Sequence, residues 1–493
     1  MATDLGQETA PADRGVTRKV AWNSQAVLLS FVFRAASGVG VVVLLARDGG
    51  PRSLGVVQFA LTLSALLPFY YGIPSLLARE VARRPEDGRR WVEVGLLLSI
   101  LFGGLFLVLL PVGTWVVGAS PETVWSIAIA TVGMVFDGIG RVPFAAFWAW
   151  ERMGLEALVT GGQEACYLGA TVAVLAAGGG PLAVLGAFAA SRAVGAVWGW
   201  LIVGRRLGGL PLPRAERAFF RSTVRSCTPF AIGDTLTLTY ARFDSVLLGI
   251  WKGPASVGLY QAATNLVLYF NTVARSINRA LFPRMGRAWP DHRDEFGRLR
   301  DLSLRLIAFL AVPITVGSLL LAPRTIDAFY GPAFAPVVLT YQLLIVVIPV
   351  RMAANTMSLS LAATDRQTPR TIAVSTAAVL NIGLNCWFIP RWSYLGAAMT
   401  TVICETLLLL AYATLLRRVS GGSELLRSNG WPLVAALPMA AVVLLTADQP
   451  VFVSAAAGAV TYALAVAVLA LLRSPAYRRR PARAFSALVR PGR

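Results

Sequence analysis

Long apolar segments, separated by short polar or basic ones, make up the chain between residues 22 and 472. Each run holds roughly 20 apolar residues, the length of an α-helix that crosses the hydrocarbon core of a bilayer. The runs are continuous, without the alternation of polar and apolar residues that is typical of a membrane β-barrel. The pattern predicts an all-α, polytopic membrane protein with about 14 transmembrane helices, over residues 22–46, 54–78, 92–117, 123–149, 155–177, 181–203, 226–250, 256–279, 303–322, 337–361, 371–390, 394–416, 431–447 and 452–472.

Basic residues are distributed unevenly over the segments that join these predicted helices. The chain has 45 Lys and Arg against 25 Asp and Glu, and its net charge of +20 by itself raises nucleic acid as a partner. With the N-terminus inside, 34 of the 45 basic residues fall in cytoplasmic segments, five in outer loops and six within spans. This asymmetry predicts a multi-pass protein of the cell membrane with both termini cytoplasmic. Topology and anionic lipid head groups then explain the charge, and we expect no nucleic-acid partner.

Composition excludes several kinds of chemistry. Only 14% of the residues are charged, against about 25% in an ordinary soluble protein. His292 is the only histidine and the four cysteines lie far apart, so we predict no metal site. The only lysines, Lys19 and Lys252, lie outside any phosphate-binding loop, so we expect neither ATP hydrolysis nor a cofactor. The outer loops, of which the longest is 322–336, are too short for a catalytic domain, and we expect no enzyme activity.

An internal repeat links the two halves of the chain. Residues 43–63 and 246–266 align without a gap at an offset of 203, and ten of the 21 positions are identical. The shared pattern begins with Gly50-Pro51 in the first copy and Gly253-Pro254 in the second. Six predicted helices separate the copies, so both halves enter the membrane in the same direction. Parallel repeats of this kind are used by alternating-access transporters.

The repeat and the basic segments together predict the domain organisation. Two six-helix bundles are followed by a terminal helix pair, with basic cytoplasmic segments between them. The predicted parts are a cytoplasmic N-terminal tail (1–21), a first bundle (22–203), a cytoplasmic linker (204–225), a second bundle (226–416), a cytoplasmic linker (417–430), a terminal helix pair (431–472) and a basic cytoplasmic tail (473–493).

Several short segments, in a fixed order, carry a resemblance to a known family. They are Leu54-Gly55, Ala78–Arg83, Phe243–Gly249, Val257–Ala263, Leu281–Arg284, Phe329–Gly331, Leu380–Asn385, Ile389-Pro390 and Leu395–Ala398. In their order and spacing they resemble the Wzx-type oligosaccharide flippases of the multidrug/oligosaccharidyl-lipid/polysaccharide exporter (MOP) superfamily. One departure is Ser393, where the family often has glycine in an outer turn, and we expect a local change in turn geometry there.

The resemblance implies a V-shaped pair of bundles with a defined activity. Such a protein flips a polyprenyl-pyrophosphate-linked oligosaccharide from the inner to the outer leaflet by alternating access, for cell-surface polysaccharide synthesis. The implied partners are the lipid-linked oligosaccharide and membrane lipids, with a polysaccharide polymerase and glycosyltransferases as further candidates. In the related lipid II flippases, helices 1 and 8 carry cavity arginines, which implies similar places for Arg34 and Arg275.

Charged residues inside the predicted spans are the candidates for the transport site. Each costs at least about 2.5–3.5 kcal/mol on insertion scales and therefore needs a reason. Guanidinium groups present a planar set of donors that suits phosphate oxygens. We therefore predict that span arginines bind the pyrophosphate, namely Arg34, Arg275, Arg351, Arg192 and Arg242. A second set is predicted to couple transport to H⁺ or Na⁺, or to pair helices, namely Asp234, Asp244, Asp137, Arg141 and Glu405.

Several of these charged residues have a structural alternative that the sequence leaves open. Asp137 and Arg141 are spaced i,i+4 and are able to neutralise each other on one helix. Arg275 lies near the end of its span, where a long side chain reaches the interface. Glu164 and Glu405 are candidates for ties between helices, and Arg242 and Asp244 for pairing with neighbours.

Two other functions also remain open. A drug/cation antiporter of the same superfamily would have a cavity dominated by acidic residues, whereas arginines outnumber acids six to five in the spans. A non-transporting membrane scaffold or lipid-binding protein would leave the repeat and the buried charges unexplained.

Overall fold

The protein is a multi-pass, all-helical membrane protein. The computed structural model describes residues 11–66, 72–83, 85–420 and 430–473, and these residues form helices joined by short turns, with no β-strand among them. Seven helices of this part of the chain are long and apolar enough to cross a membrane. The all-α prediction is confirmed, and the number of 14 spans stays a prediction.

The chain divides into two compact units, Met1–Gly249 and Ile250–Arg493. The helices of the first unit are α1 (Pro11–Ala65), α2 (Gly72–Arg83), a 3₁₀ turn (Pro85–Asp87), α3 (Gly88–Val116), α4 (Pro121–Ala149), α5 (Met153–Ala176), α6 (Pro181–Arg206) and α7 (Arg217–Lys252), whose last residues pass into the second unit.

Helix α4 lies at the centre of the first unit. It packs against α1, α2, α3, α5 and α6. Because apolar and small residues occur on several of its faces, α4 buries Ile127, Val142 and Phe147 completely. Around Phe147 a hydrophobic core includes Leu77 of α2 and Leu98 of α3. This core holds α4 in place between its neighbours.

The second unit repeats this plan around a different helix. Its elements are α8 (Pro254–Ala288), α9 (Arg293–Leu320), α10 (Ala322–Tyr330), a 3₁₀ helix (Pro332–Val337), α11 (Val338–Ala363), α12 (Gln367–Ser420), α13 (Gly430–Leu445) and α14 (Val451–Arg473). Helix α11 packs against α8, α9 and α12, and it covers the fourth predicted span of its half, as α4 does in the first. Helices α13 and α14 pack against each other and against α9, where Leu321 and Met439 are buried.

The two copies of the sequence repeat share one backbone conformation. Gly50 has φ 67° and ψ −165°, and Gly253 has φ 81° and ψ 175°. Only glycine adopts this region readily, because a Cβ atom would meet the backbone. In both copies a proline follows as the first residue of the next helix, where its missing N–H costs nothing. The repeat is therefore present in the geometry as well as in the sequence.

Three segments predicted as loops are wholly or partly helical, and this corrects the sequence analysis. Residues 322–336 form α10 and a 3₁₀ helix. Between the predicted spans 256–279 and 303–322, α8 continues to Ala288 and α9 begins at Arg293; in the predicted linker 204–225, α7 begins at Arg217. The prediction was wrong there because hydropathy reports how apolar a segment is and does not register short or amphipathic helices.

Ser393 interrupts α12 where the predicted helices 371–390 and 394–416 meet. Its φ of 51° and ψ of −132° break the helix, and a non-glycine residue in such a conformation is strained. Its hydroxyl lies 3.2 Å from that of Ser256, which belongs to the turn after Gly253. The break in the helix is local, since helix resumes at once on both sides.

Replacing either turn glycine by alanine should destabilise the protein. A Cβ at Gly50 or Gly253 is strained by the positive φ, and we expect each variant to lose about 1–3 kcal/mol and to melt at a lower temperature in detergent. The control is Gly104→Ala in α3, where the added methyl meets no atom within 4 Å. Turn variants as stable as the Gly104→Ala control would contradict the assignment of this strained geometry.

Candidate functional site

A cavity of about 370 Å³ lies within the first unit, between α1, α4, α5, α6 and α7. Its wall contains four arginines and three carboxylates, namely Arg34, Arg141, Arg192, Arg242, Asp137, Glu156 and Glu164. Five of the ten residues predicted for the site therefore lie in one wall. They come from four helices that are far apart in the sequence.

Helical spacing explains how α4 and α5 each present a polar face to the cavity. Residues three or four positions apart lie on the same side of a helix. The lining residues on α4 are Met134, Asp137, Arg141 and Phe144, and those on α5 are Glu156, Thr160, Gln163 and Glu164. Each set follows this spacing, so the local sequence determines which residues of each helix face the cavity.

Glycines allow α4 and α6 to approach closely beside the cavity. Gly133 and Gly140 lie one turn on either side of Asp137, and Gly133 faces the ring of Phe188. A Cβ atom at Gly140 would lie 3.3 Å from the Cα of Ala196. Small residues at such positions let two helix backbones pack at short range. As a consequence Asp137 of α4 comes within ion-pair distance of α6.

Two arginines and two carboxylates of the wall form a chain of ion pairs. The Arg141 Nε donates to Asp137 at 2.8 Å, and an Arg192 Nη donates to Glu164 at 2.9 Å. The same Arg192 nitrogen lies 3.8 Å from Asp137, to which the Gln163 amide also donates at 3.2 Å. The network is neutral overall. Its least exposed members are Glu164 and Arg192, with 7% and 11% of the side chain exposed.

Aromatic rings complete the surroundings of Arg192. Its guanidinium carbon lies 4.7 Å from the ring centre of Phe188 and 5.9 Å from that of Tyr167. Cations over ring faces gain additional electrostatic stabilisation. The backbone carbonyl of Glu164 also accepts a 3.0 Å hydrogen bond from Ser37 of α1. Arg192 and Glu164 are thus held by three helices, which suits a structural role.

Arg34 and Arg242 differ from the other two arginines of the cavity. Within the described part of the chain neither forms an ion pair, although both line the cavity. The third carboxylate, Glu156, accepts a hydrogen bond from the indole N–H of Trp148 instead. Arg34 is exposed and Arg242 is half-buried. Among the described residues of the cavity wall, no carboxylate pairs with these two guanidinium groups.

The second unit holds another of the predicted arginines in an ion pair. The Nε of Arg351 on α11 donates to Glu405 on α12 at 2.8 Å. Asp244 lies outside the cavity wall, and one of its carboxylate oxygens accepts from the backbone N–H of Ser245 at 2.7 Å. The side chains of Arg275 and Asp234 lie outside the described residues.

Sequence reasoning did not select Glu156, Thr160 or Gln163 of the cavity wall. Two of them are uncharged, and Glu156 falls at the end of a predicted span, where a charge needs no explanation. Their spacing from Glu164 along one helix face was the signal that would have grouped them. The sequence also did not identify the carboxylate that pairs with Arg192, because pairing between helices depends on tertiary packing.

Comparisons with known proteins identify relatives for both halves of the chain. Residues 16–289 match the family model described as polysaccharide biosynthesis protein, and residues 222–469 match that of the lipid II flippase MurJ. A probable flippase, AglR from Haloferax volcanii, is 27% identical over 174 residues. That alignment covers 34% of this chain and 36% of AglR, so the chain spans about a third of this relative's length.

Solved structures of transporters share the fold. The lipid II flippase MurJ in an inward closed conformation matches with a TM-score of 0.71 at 15% identity, over 93% of this chain and 99% of MurJ. An inward-facing multidrug resistance MATE family transporter of the MOP superfamily matches with a TM-score of 0.64 at 14% identity, over 78% of this chain and 94% of the transporter. At these identities the likeness establishes the fold.

Removing Glu164 should destabilise the first unit strongly. The variant Glu164→Ala leaves the buried Arg192 without its nearest carboxylate, a change that typically costs about 3–5 kcal/mol. Thermal or denaturant unfolding of the purified protein in detergent measures the loss. The matched control is Glu122→Ala, whose pair with Arg52 is exposed (38% and 73% of the side chains) and is expected to contribute under about 1 kcal/mol. Equal losses in the two variants would contradict a structural role for the buried pair.

Proposed function

Because this chain belongs to the polysaccharide biosynthesis protein family and is a flippase of the MOP superfamily, we propose that it carries a polyprenyl-diphosphate-linked oligosaccharide and binds its diphosphate through Arg34 and Arg242. The substrate moves from the inner to the outer leaflet of the cell membrane by alternating access. Both termini of the protein are cytoplasmic in this proposal, as the distribution of basic residues predicts.

The observation that supports this proposal is the charge balance of the cavity wall. Arg141 and Arg192 are offset by Asp137 and Glu164, whereas Arg34 and Arg242 form no ion pair with any side chain that the structure describes. A diphosphate carries about two negative charges, and guanidinium groups bind phosphate oxygens through two parallel hydrogen bonds. Two guanidinium groups without a described carboxylate partner therefore match one diphosphate in charge and in the kind of hydrogen bond that each forms.

The remaining predicted residues take secondary places in this proposal. We assign Arg141, Arg192 and Asp137 to the network that holds the cavity wall, and Arg351 with Glu405 to the pairing of α11 and α12. Arg275 stays a proposed ligand of the substrate. Asp234 and Asp244 stay proposed sites for a coupling H⁺ or Na⁺.

The membrane potential is a sufficient energy source for the proposed direction of transport. Moving two negative charges out of a cell that is 100 mV negative inside releases about 4.6 kcal/mol. That corresponds to more than a thousandfold bias towards the outer leaflet. Enzymes that assemble the lipid-linked oligosaccharide and a polymerase that consumes it are the proposed partners.

A drug/cation antiporter is the alternative that the shared fold raises, because a MATE transporter has the same architecture. A cationic drug would meet Arg34 and Arg242 in this cavity, and like charges repel strongly away from water. The charge balance therefore favours an anionic substrate.

Replacing either uncompensated arginine should weaken diphosphate binding. Each of Arg34→Ala and Arg242→Ala removes hydrogen bonds to a charged group, worth about 1.5–3 kcal/mol, so we expect roughly 10- to 100-fold weaker binding of farnesyl diphosphate to the purified protein. Lysine at the same positions should restore part of the affinity, because it keeps the charge without the planar donors.

Arg214→Ala provides the control for these variants, since Arg214 is exposed and lies outside the cavity wall. Wild-type affinity in both cavity variants would refute the proposed ligands. Binding of a hydrophobic cation in preference to farnesyl diphosphate would favour the antiporter.

A further inference from the structure

Helix α5 offers the cavity a second polar surface that the diphosphate ligands do not use. Its lining residues are Glu156, Thr160, Gln163 and Glu164. Glu164 is bonded to Arg192, and the Gln163 amide N–H₂ donates to Asp137. The hydrogen-bonding groups that remain belong to Glu156, Thr160 and the Gln163 carbonyl.

These groups have unused hydrogen-bonding capacity. Thr160 is 5% exposed, and its hydroxyl has no hydrogen-bond partner within the described structure. Glu156 accepts from Trp148 through one carboxylate oxygen, which leaves the other oxygen available. An unpaired buried hydroxyl costs about 1–3 kcal/mol, so a ligand hydroxyl that satisfies it gains affinity.

Aromatic side chains stand beside this polar surface. Phe144 of α4 and Phe188 of α6 line the same cavity. Ligand sites typically combine apolar and aromatic walls with a few polar groups that fix orientation. A sugar ring has the matching character, because its hydroxyls form a polar rim around two C–H faces.

We infer that this surface, defined by Glu156, Thr160 and Gln163, is a subsite for the sugar attached to the diphosphate, and that it selects a neutral sugar over a uronic acid. The inference rests on the proposed function and deepens it. A carboxylate accepts hydrogen bonds from neutral hydroxyls but repels a second carboxylate, most strongly where water is excluded.

One of the three carboxylates in the cavity wall carries this discrimination. Glu156 and Glu164 are separated by eight residues of one helix, which places them about 12 Å apart along the axis, and Asp137 faces them from α4. Among the side chains that the structure describes, Glu164 and Asp137 are neutralised by arginines, whereas Glu156 forms no ion pair. The charge of Glu156 is the one that a bound sugar meets.

Binding measurements with three probes test the subsite. The probes are farnesyl diphosphate, a polyprenyl diphosphate that carries N-acetylglucosamine, and one that carries glucuronic acid. We expect the full-length wild-type protein to bind the neutral-sugar probe about tenfold more tightly than the glucuronic acid probe, the effect of roughly one charged hydrogen bond. Glu156→Gln should bring these two affinities within about twofold. Thr160→Val should weaken the neutral-sugar probe several-fold and leave farnesyl diphosphate unchanged.

Controls separate the subsite from the diphosphate site. Glu295→Gln makes the same chemical change at the exposed start of α9 and should retain wild-type selectivity. Arg34→Ala should weaken all three probes alike. Wild-type selectivity in Glu156→Gln, wild-type affinity for the neutral-sugar probe in Thr160→Val, equal changes for all three probes in Glu156→Gln, or a wild-type preference for glucuronic acid would each overturn the subsite. Binding of none of the probes to the wild-type protein would instead refute the proposed function on which the subsite rests.

Discussion

The ion-pair network of Asp137, Arg141, Arg192 and Glu164 is the interaction on which the cavity depends. Charged groups are expensive away from water, and removing one member of a buried pair leaves the charge of the other uncompensated. Gly133 and Gly140 permit the close approach of α4 and α6 that brings the partners together. The core around Phe147 fixes α4 at the centre of the unit. Packing and electrostatics therefore specify the same arrangement of helices.

Two of the four cavity arginines are neutralised by carboxylates, and this distinguishes the other two as the candidate ligands of an anion. Six arginines within spans suggest a general affinity for anions, but a paired guanidinium has already met its electrostatic requirement. In the described part of the chain, Arg34 and Arg242 are the cavity arginines left without a carboxylate. Two acidic residues of the wall, Asp137 and Glu164, pair with arginines. Among the described carboxylates of the wall, Glu156 is the one that no arginine balances. This distribution of charges fits a substrate that has an anionic group at one end and a neutral, hydroxyl-rich group beside it.

The helical architecture, the repeat and part of the cavity could be predicted from the sequence, each for a different physical reason. Apolar runs of membrane length and the shared Gly-Pro turn are local features, and the φ values of Gly50 and Gly253 repeat what the aligned sequences indicate. The Asp137–Arg141 pair could also be predicted from the sequence, because its i,i+4 spacing lies within one helix. The Arg192–Glu164 and Arg351–Glu405 pairs depend on which helices are neighbours, and hydropathy contains no such information. Hydropathy also failed at residues 322–336 and in the basic connectors, where amphipathic segments form helices that it does not register.

A structure of the protein with bound farnesyl diphosphate tests the central claim most directly. The charge balance predicts density for the diphosphate between the guanidinium groups of Arg34 and Arg242, with Arg192 still paired to Glu164. A diphosphate bound to Arg192 with Glu164 displaced, or bound at Arg351 in the second unit, would contradict it.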